Sequence, residues 1–211
     1  TENIGIVLSN PKSDLNVKRI NFGVGWNQTA SFNERIFIAS TNSENSLADV
    51  FLSRANGHLI NDLDPFLEYL AFWTDVIDLA DNSIDTSTNY YLYDNGNYIS
   101  HVNSVSEKFQ YLQKESSGYT GEVPISLATS IDDKLYMGVS MGIPIIEYSE
   151  RTLYGESSFS DTISDLTAFD LNRSLIVSGS GINIKAGAIY RLNNNFRVGL
   201  SAHSPSYISI Q

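Results

Sequence analysis

The sequence predicts a mainly β protein: an antiparallel transmembrane β-barrel, with about six long strands in this chain and an α-helical extracellular insertion. Three observations predict this class. Apolar residues recur at every second position in several stretches, which is the period of a strand with one apolar face. These stretches exceed the roughly five or six residues usual for strands. Short turns and long connections also alternate along the chain, as they do in outer-membrane barrels.

The strands are predicted from this alternation. In "DDKLYMGVSMGIPIIEYSE", apolar residues alternate from Leu135 to Ile145, and the other face carries glycine and serine. An apolar face opposite a small or polar face is typical of antiparallel sheets, since parallel strands tend to be apolar on both sides. Pro144 and the doublet Ile145-Ile146 predict a bulge in that strand. The six predicted strands are 3–9, 17–41, 106–131, 134–153, 169–192 and 195–211.

The connections bear on two classes of β protein. Two short links, "SIDDK" and "LNNNF", contain Asp and Asn, which tolerate the left-handed backbone of tight hairpins, and "SNPKSDLN" is slightly longer. The connections at 42–105 and 154–168 are long. In an outer-membrane barrel the short turns lie on the periplasmic side and the long loops outside. A soluble β-sandwich with long hairpins is the alternative class, and the pattern favours the barrel.

The connection at 42–105 is predicted to contain two helices. "SLADVFLSRANG" opens with Ser46 and Asp49 at capping-box spacing and stops at Gly57. "DPFLEYLAFWTDVIDLA" places Asp64 at the N-cap and Pro65 in the first helical position. We expect its apolar stripe to pack the helices together and on the barrel rim, in preference to forming a ligand groove, although one surface can do both. The stripe consists of Phe66, Leu70, Trp73, Ile77 and Ala80.

Acidic residues are concentrated in the same insertion. The chain has a formal net charge of −11, and residues 42–100 hold ten carboxylates against one strong base, Arg54. This negative charge argues against a nucleic-acid-binding surface, because such a surface needs basic side chains that contact phosphates. This concentration of carboxylates predicts that the insertion is a distinct, solvated segment.

Several kinds of site lack the residues that they need. There is no cysteine, which excludes disulfides and thiolate metal sites. No apolar run is long enough for a transmembrane helix. The histidines, His58, His101 and His203, have no metal-ligand spacing, and no nucleophile motif stands out. We therefore expect no metal, no cofactor and no enzymatic activity.

Three segments carry a resemblance to a known family. They are "INFGVGWNQTASFNERI", "DDKLYMGVSMGIPIIEYSE" and "SGSGINIKAGAIYRLNNNFRVGLSAHSPSY". These segments resemble the fatty-acid-transporter family of outer-membrane proteins, in its Bacteroidetes-type branch. The resemblance covers most of 1–41 and 106–211. Its most specific part is the last segment, in which two strands and their turn match.

The resemblance implies a fourteen-stranded barrel plugged by an N-terminal segment. It also implies passive movement of hydrophobic molecules, which bind first on extracellular loop helices, enter a pocket inside the barrel and leave through a lateral gap. The chain departs from this pattern in two respects. The Asn-Pro-Ala of the plug is absent, since Lys12 follows Asn10-Pro11, and about six strands are fewer than the eight of the smallest single-chain barrels. We therefore expect the 211 residues to be an internal piece of a longer protein.

The candidate ligand-binding residues follow from the resemblance and from the apolar stripe. Burial of a ligand's alkyl chain on such a surface gains about 0.8 kcal/mol per CH₂. Lys185 and Arg197 lie opposite the apolar strand face and are candidate charges of the lumen, where they would meet a carboxylate. Solvation or pairing with Asp or Glu is the alternative that we prefer for them. The predicted ligand-binding residues are Phe66, Leu70, Trp73, Ile77, Phe51, Tyr69 and Phe72.

The predicted function is passive outer-membrane transport of hydrophobic small molecules, such as long-chain fatty acids. The expected partners are this ligand, outer-membrane lipid and lipopolysaccharide, with no nucleic acid and with the barrel as a monomer. The alternative function is that of a surface protein, an adhesin or a secretion-system component, whose acidic insertion docks another protein. An open apolar groove in the insertion would favour transport, and a groove packed shut would favour docking.

Overall fold

The structure of the chain is a computed structural model that describes residues 2–11, 17–80, 84–85, 90–91, 96–160 and 165–211. Strands account for 65% of it and helices for 10%, and a large antiparallel sheet is present, so the mainly β class is confirmed. The predicted insertion 42–105 is only partly covered, since 81–83, 86–89 and 92–95 lie outside the described residues. Within the described ranges, no helix has the length and apolarity that crossing a bilayer requires.

The elements of the described chain are mostly strands, and three of these are unusually long. A 3-10 turn at Ile60–Asp62 lies between the two helices. In chain order the strands and helices are β1 (Asn3–Pro11), β2 (Val17–Ser31), β3 (Glu34–Asn42), α1 (Leu47–Ala55), α2 (Glu68–Trp73), β4 (Ile77–Leu79), β5 (Ile84–Asp85), β6 (Tyr90–Tyr91), β7 (Tyr98–Ser100), β8 (Lys108–Ile131), β9 (Leu135–Ser157), β10 (Ala168–Arg191), β11 (Arg197–His203) and β12 (Tyr207–Ile210).

The large sheet follows the order of the chain. Its strands are hydrogen-bonded in the order β1-β2-β8-β9-β10-β11, while β3 also pairs with β8 and β12 also pairs with β10. The predicted strand 17–41 is therefore two strands, β2 and β3, that share one neighbour. The predicted strand 195–211 is likewise divided into β11 and β12. Each of the six predicted strands has a counterpart in the sheet, and two of them are interrupted.

The interruption between β2 and β3 is matched by an irregularity in β8. The N–H of Phe32 donates to the carbonyl of Gly118 at 2.9 Å, and the hydroxyl of Ser116 donates to the Phe32 carbonyl at 2.8 Å. The side chain of Asn33 accepts the N–H of Gly118 at 3.3 Å. Gly118 has φ +131°, a backbone region that L side chains rarely adopt. The break therefore has its own hydrogen bonds, which replace the ladder.

The strand β9 is continuous through Pro144, where a bulge was predicted. Side chains on its odd-numbered positions are the more exposed ones both before Pro144, at 137–141, and after it, at 147–151. A bulge would shift this parity by one residue. Tyr136 and Tyr148 therefore stay on the same face of the strand, and the predicted bulge is wrong.

The chain divides into two compact units. The first consists of Thr1–Arg35, Glu115–Arg151 and Ser174–Gln211, and the second of Ile36–Lys114 and Thr152–Arg173. The predicted insertion lies within the second unit, together with one end each of β8, β9 and β10. We call them the sheet unit and the helical unit.

The sheet unit has one apolar and one small-residue face. Side chains of directly paired residues lie on the same face, and β1 pairs Ile6 with Val24 and Leu8 with Phe22, which in turn pairs with Leu127. The opposite face carries pairs of small residues, for example Gly5 with Gly25 and Gly23 with Ser126. The apolar face is exposed: Ile6 is 63%, Leu127 50% and Val139 54% accessible. This face is the main surface that a partner or a membrane could cover.

The helical unit has its own hydrophobic core. Helices α1 and α2 pack with the two-stranded sheet of β4 and β7, in which Ile77 pairs with Ser100. Partly buried Phe159 and Phe169 pack against this core, and the Phe169 ring lies 6.5 Å from that of Phe51. The buried members are Ala48, Phe51, Ala55, Leu63, Ala71, Phe72, Val76, Ile77, Leu79, Tyr98 and Val102.

The second predicted helix is much shorter than the apolar stripe indicated. Asp64 caps a turn, with its carboxylate accepting the Phe66 N–H at 2.8 Å, and α2 begins only at Glu68. The Thr74 hydroxyl donates to the Leu70 carbonyl at 2.8 Å, and Asp75 takes φ +58°, which ends the helix. The strand β4 follows at Ile77–Leu79, so the prediction of a helix to Ala80 is wrong.

Candidate functional site

Three apolar side chains protrude from the helical unit around α2. Phe66 is 78% exposed, Leu70 48% and Trp73 59%. The Trp73 ring is held edge-to-face by Tyr69 at 6.0 Å and by Phe72 at 5.5 Å between ring centres. We call Phe66, Leu70 and Trp73 the α2 patch. It is an exposed, aromatic-rich surface whose tryptophan is oriented by its neighbours.

The structure divides the seven predicted ligand-binding residues into two groups. The α2 patch is exposed and Tyr69 is half-buried beside it. Phe51, Phe72 and Ile77 are instead in the core, at 4%, 3% and 0% exposure. Ile77 lies in the core because its segment forms strand β4 and not a continuation of α2. Phe66, Leu70 and Trp73, with half-buried Tyr69, are the predicted residues that are accessible from outside.

An ion pair joins α2 to α1. Arg54, in the last turn of α1, pairs with the carboxylate of Glu68, which is only 3% exposed, and lies 3.6 Å from that of Asp64. With His58 and Asp62 these residues line a small polar hollow of about 140 Å³. Among the residues that the structure describes, no three acidic or histidine side chains come together as metal ligands would. The ion pair between Arg54 and Glu68 therefore holds α2 against α1.

A buried carboxylate of β9 holds the start of α1. Glu156 is fully buried and accepts the Ser46 hydroxyl at 2.6 Å and the Leu47 N–H at 2.7 Å. Gln110 and Tyr154 donate to it at 2.9 and 2.7 Å. Burial and this donation raise the pKa of the Tyr154 hydroxyl. A carboxylate is favourable there because the amino end of a helix carries partial positive charge.

The segment before α1 is fixed by a second buried group. Lys108 is fully buried, and its Nζ donates to the carbonyls of Ser104 at 2.7 Å and Asn45 at 3.2 Å. The predicted capping box is present at the same point: Ser46 accepts the Ala48 N–H, and Asp49 accepts the Ser46 N–H at 2.9 Å. The sequence indicated the capping box, but not the contacts of Glu156 with Ser46 and of Lys108 with Asn45, which are 110 and 63 residues apart in the chain.

The small-residue face of the sheet unit contains a hollow of about 700 Å³. Gly138 and Gly187 line it together with Tyr136, Asn21 and Arg19. Arg19 was not among the predicted lumen charges, although it alternates with the apolar residues of β2 as Lys185 and Arg197 do in their strands. Arg19 is thus the cation that the structure places in this hollow.

The two predicted lumen charges are in other places. Lys185 forms an ion pair with Glu122, as expected from the alternative of pairing. Arg197 lies exposed at the start of β11, in register with Arg191. Neither residue lines the hollow that contains Arg19.

A glycine of β9 allows side chains of β8 and β10 to meet above it. The Asn183 amide, 2% exposed, donates to the Glu122 carboxylate at 2.9 Å and to the Ser206 hydroxyl at 3.2 Å. A Cβ at Gly142 would lie 2.5 Å from Oδ1 of Asn183 and 2.7 Å from the Glu122 carboxylate. The contact across three strands therefore depends on the missing side chain.

We expect Gly142→Ala to lower the free energy of unfolding of the sheet unit by about 1–3 kcal/mol, the cost of overpacking. Urea unfolding in non-ionic detergent measures it, followed by Trp26 fluorescence in a Trp73→Phe background, since the chain has two tryptophans. Gly138→Ala is the matched control, because its Cβ would meet Ala128 at an ordinary 3.5 Å. Equal stability of the two variants would contradict the prediction.

Comparison of the chain with protein-family models, curated proteins and solved structures finds no match. The family resemblance of its strand segments therefore stays a prediction. The candidate site rests on the geometry alone: an exposed apolar sheet face, a hollow that contains Arg19, and the α2 patch.

Proposed function

We propose that the chain is part of an outer-membrane barrel that passively transports hydrophobic small molecules, with long-chain fatty acids or similar molecules as ligands. The observation that carries the proposal is the exposed apolar face of the sheet unit. Contiguous apolar surfaces beyond a few hundred Å² are typical of surfaces that meet a membrane or another protein. Lipid and lipopolysaccharide would cover this face, and the barrel, completed by further strands, would act as a monomer.

The height of the apolar face matches a membrane. From Leu135 to Ile145 the strand β9 extends about 33 Å at roughly 3.3 Å per residue. Tilted by about 45°, it rises roughly 23 Å, close to the apolar band of about 25 Å in outer-membrane barrels. Beyond it, the same face continues with Glu147, Ser149 and Arg151, all exposed. The change from apolar to polar thus comes where a bilayer of ordinary thickness would end.

Aromatic residues support the same placement. Trp26 ends the apolar run of β2, and its ring lies edge-to-face against that of Tyr119, 5.6 Å away. The Trp26 ring also covers Gly121, where a Cβ would overlap it. Aromatic rings at the limits of an apolar band are typical of membrane–water interfaces. Trp26 and Tyr119 are therefore candidates for one edge of the apolar band.

The ligand would be captured on the α2 patch and carried through the barrel along its small-residue face. Phe66, Leu70 and Trp73 offer apolar area to an alkyl chain. On the small-residue face, the hollow that contains Arg19 offers a guanidinium to a polar end group. The two features supply the two kinds of contact that an amphipathic ligand needs.

Binding of radiolabelled oleate to the detergent-solubilised chain tests the proposal. The double variant Phe66→Asp/Trp73→Asp is expected to weaken binding about tenfold or more, since two apolar contacts are replaced by charges. Val105→Asp is the matched control, because Val105 is 72% exposed in the same unit and outside the patch. Unchanged oleate binding in the double variant would refute capture by the α2 patch.

Protein docking is the second candidate function, and one observation favours it. Ile77 of the predicted stripe is packed into the core, whereas Phe66, Leu70 and Trp73 protrude. Protruding aromatic side chains are enriched among the residues that dominate protein interfaces. Protein docking would be favoured if the chain bound no oleate but was retained by outer-membrane extracts, and if this retention was lost in Trp73→Asp.

A further inference from the structure

The net charge of the chain is concentrated in the helical unit. This unit contains 15 acidic and 4 basic residues, whereas the sheet unit contains 9 of each. The formal charge of the helical unit is therefore −11, which equals that of the whole chain. The α2 patch belongs to this unit. A charged ligand that approaches the patch meets a negative field, which attracts cations and repels anions.

Two carboxylates lie beside the α2 patch. Oδ1 of Asp64 accepts the N–H of Phe66 at 2.8 Å, which places this carboxylate at the first residue of the patch. Asp75 is exposed and follows Trp73 by two residues, so the Cα atoms of these two residues are at most about 8 Å apart. Negative charge therefore flanks the patch at both of its ends.

The one strong base of the segment 42–100, Arg54, is already engaged. It pairs with the buried carboxylate of Glu68, and its Nη2 atom lies 3.6 Å from Asp64. A fatty-acid carboxylate on the patch would have to compete with these two carboxylates for Arg54. The charges around the patch therefore disfavour an anionic head group.

The aromatic part of the patch favours a cationic head group for a separate reason. Trp73 is 59% exposed, and Tyr69 and Phe72 hold its ring edge-to-face. An ammonium group is attracted to the negative face of an aromatic ring, and tryptophan is the strongest of the aromatic partners. An exposed tryptophan next to a carboxylate is thus suited to an organic cation.

We propose that the α2 patch prefers an amphipathic ligand with an ammonium head group over a fatty acid of the same chain length. The proposal rests on the proposed function, in which this patch captures the ligand. The alkyl chain would lie on Phe66 and Leu70, and the ammonium group at Trp73 and Asp75. The hollow that contains Arg19 does not oppose such a ligand, because Asp133 lines it as well.

Equilibrium binding of radiolabelled dodecylamine and dodecanoate to the whole chain in non-ionic detergent at pH 8 tests the proposal. Both ligands are ionised there, since amines of this kind titrate near pH 10 and carboxylic acids at about pH 4–5. After correction for partition into protein-free micelles, we expect dodecylamine to bind about three- to tenfold more tightly, as a few exposed charge contacts would give. The difference should shrink in about 1 M salt, where the screening length is about 3 Å.

Asp64→Asn/Asp75→Asn should remove most of this preference. Asparagine keeps the structural roles of both residues, because it caps turns and tolerates a positive φ as aspartate does. Glu107→Gln is the matched control and should keep the preference, since Glu107 is an exposed carboxylate of the same unit outside the patch.

Phe66→Ser/Trp73→Ser separates failure of this proposal from failure of the proposed function, because it removes apolar contacts without adding charge. If neither ligand binds, or if this variant binds both as the unmodified chain does, capture by the patch and the preference for ammonium are both overturned. If the variant weakens both ligands but the unmodified chain binds dodecanoate as tightly as dodecylamine, capture stands and the preference is overturned. An undiminished preference in Asp64→Asn/Asp75→Asn would likewise overturn the role of these two carboxylates.

Discussion

Replacement of Glu156 by alanine is expected to lower the free energy of unfolding of the helical unit by about 3–4 kcal/mol. The carboxylate is fully buried and accepts four hydrogen bonds. Its removal leaves the Leu47 N–H and the Tyr154 hydroxyl without this acceptor, while the Gln110 amide keeps only its bond to the Asn45 carbonyl at 3.1 Å. Each such loss costs about 1–3 kcal/mol, and a cavity adds to it. The start of α1 would lose its attachment to β9.

Glu156→Gln keeps a hydrogen-bond acceptor at this position but removes the negative charge. Three of the four donors bind Oε1, and a glutamine oxygen can take its place. The glutamine NH₂ would then face the Ser46 hydroxyl, which can accept as well as donate. We expect a loss of only about 1–2 kcal/mol, because the geometry survives while hydrogen bonds to a charged group become neutral ones.

Fluorescence of Trp73 in a Trp26→Phe background reports unfolding of the helical unit, since Trp73 belongs to it. Glu107→Ala is the control, because Glu107 is an exposed carboxylate of the same unit, and its loss should change stability by less than about 0.5 kcal/mol. If Glu156→Ala were as stable as Glu107→Ala, Glu156 would not hold α1 in place.

Local patterns predicted those elements whose signal is contained in a few adjacent residues. Strand alternation located the strands of the large sheet, and Ser46 with Asp49 located the start of α1. The same patterns failed where contacts between residues distant in the chain determine the secondary structure. Residues 66–77 match a helical period, yet α2 ends at Trp73, Asp75 takes φ +58°, and Ile77 pairs with Ser100 in strand β4. Periodicity alone does not distinguish buried helix from buried strand.

The candidate site was predictable to a similar degree. Phe66, Leu70 and Trp73 were named as ligand-binding candidates from their helical period, although packing of the helices was the preferred expectation for that stripe. Glu156 was not, because its partners Ser46 and Gln110 are 110 and 46 residues away. Arg19 was missed for a different reason: its alternation resembles that of Arg197, and only the fold assigns one of them to a hollow. Sequence patterns thus predict which residues share a face of a strand or helix. Contacts between residues that are distant in the chain decide which of these residues line a site.

Gly118→Ala is expected to destabilise the sheet unit by about 2–6 kcal/mol. Gly118 has φ +131°, which costs a residue with a side chain about 1–3 kcal/mol. A Cβ there would overlap the Glu147 carbonyl oxygen and lie 2.9 Å from its carbonyl carbon. Because backbone cannot rotate away as a side chain can, this overlap adds about 1–3 kcal/mol more. The break between β2 and β3 should therefore tolerate only glycine at this position.

The fluorescence of Trp26 reports this loss well, since its ring contacts Tyr119, the residue next to Gly118. Urea unfolding of a Trp73→Phe background in non-ionic detergent gives the free energy, with the midpoint and slope compared separately. Gly187→Ala is the control: it lies in the same unit, and its Cβ would meet nothing closer than 3.4 Å. If Gly118→Ala unfolded at the same urea concentration as Gly187→Ala, the hydrogen bonds at the break would not require that backbone. A loss confined to Gly118→Ala would instead mark the break as a fixed feature of the sheet, because a flexible break would relax around the added methyl group.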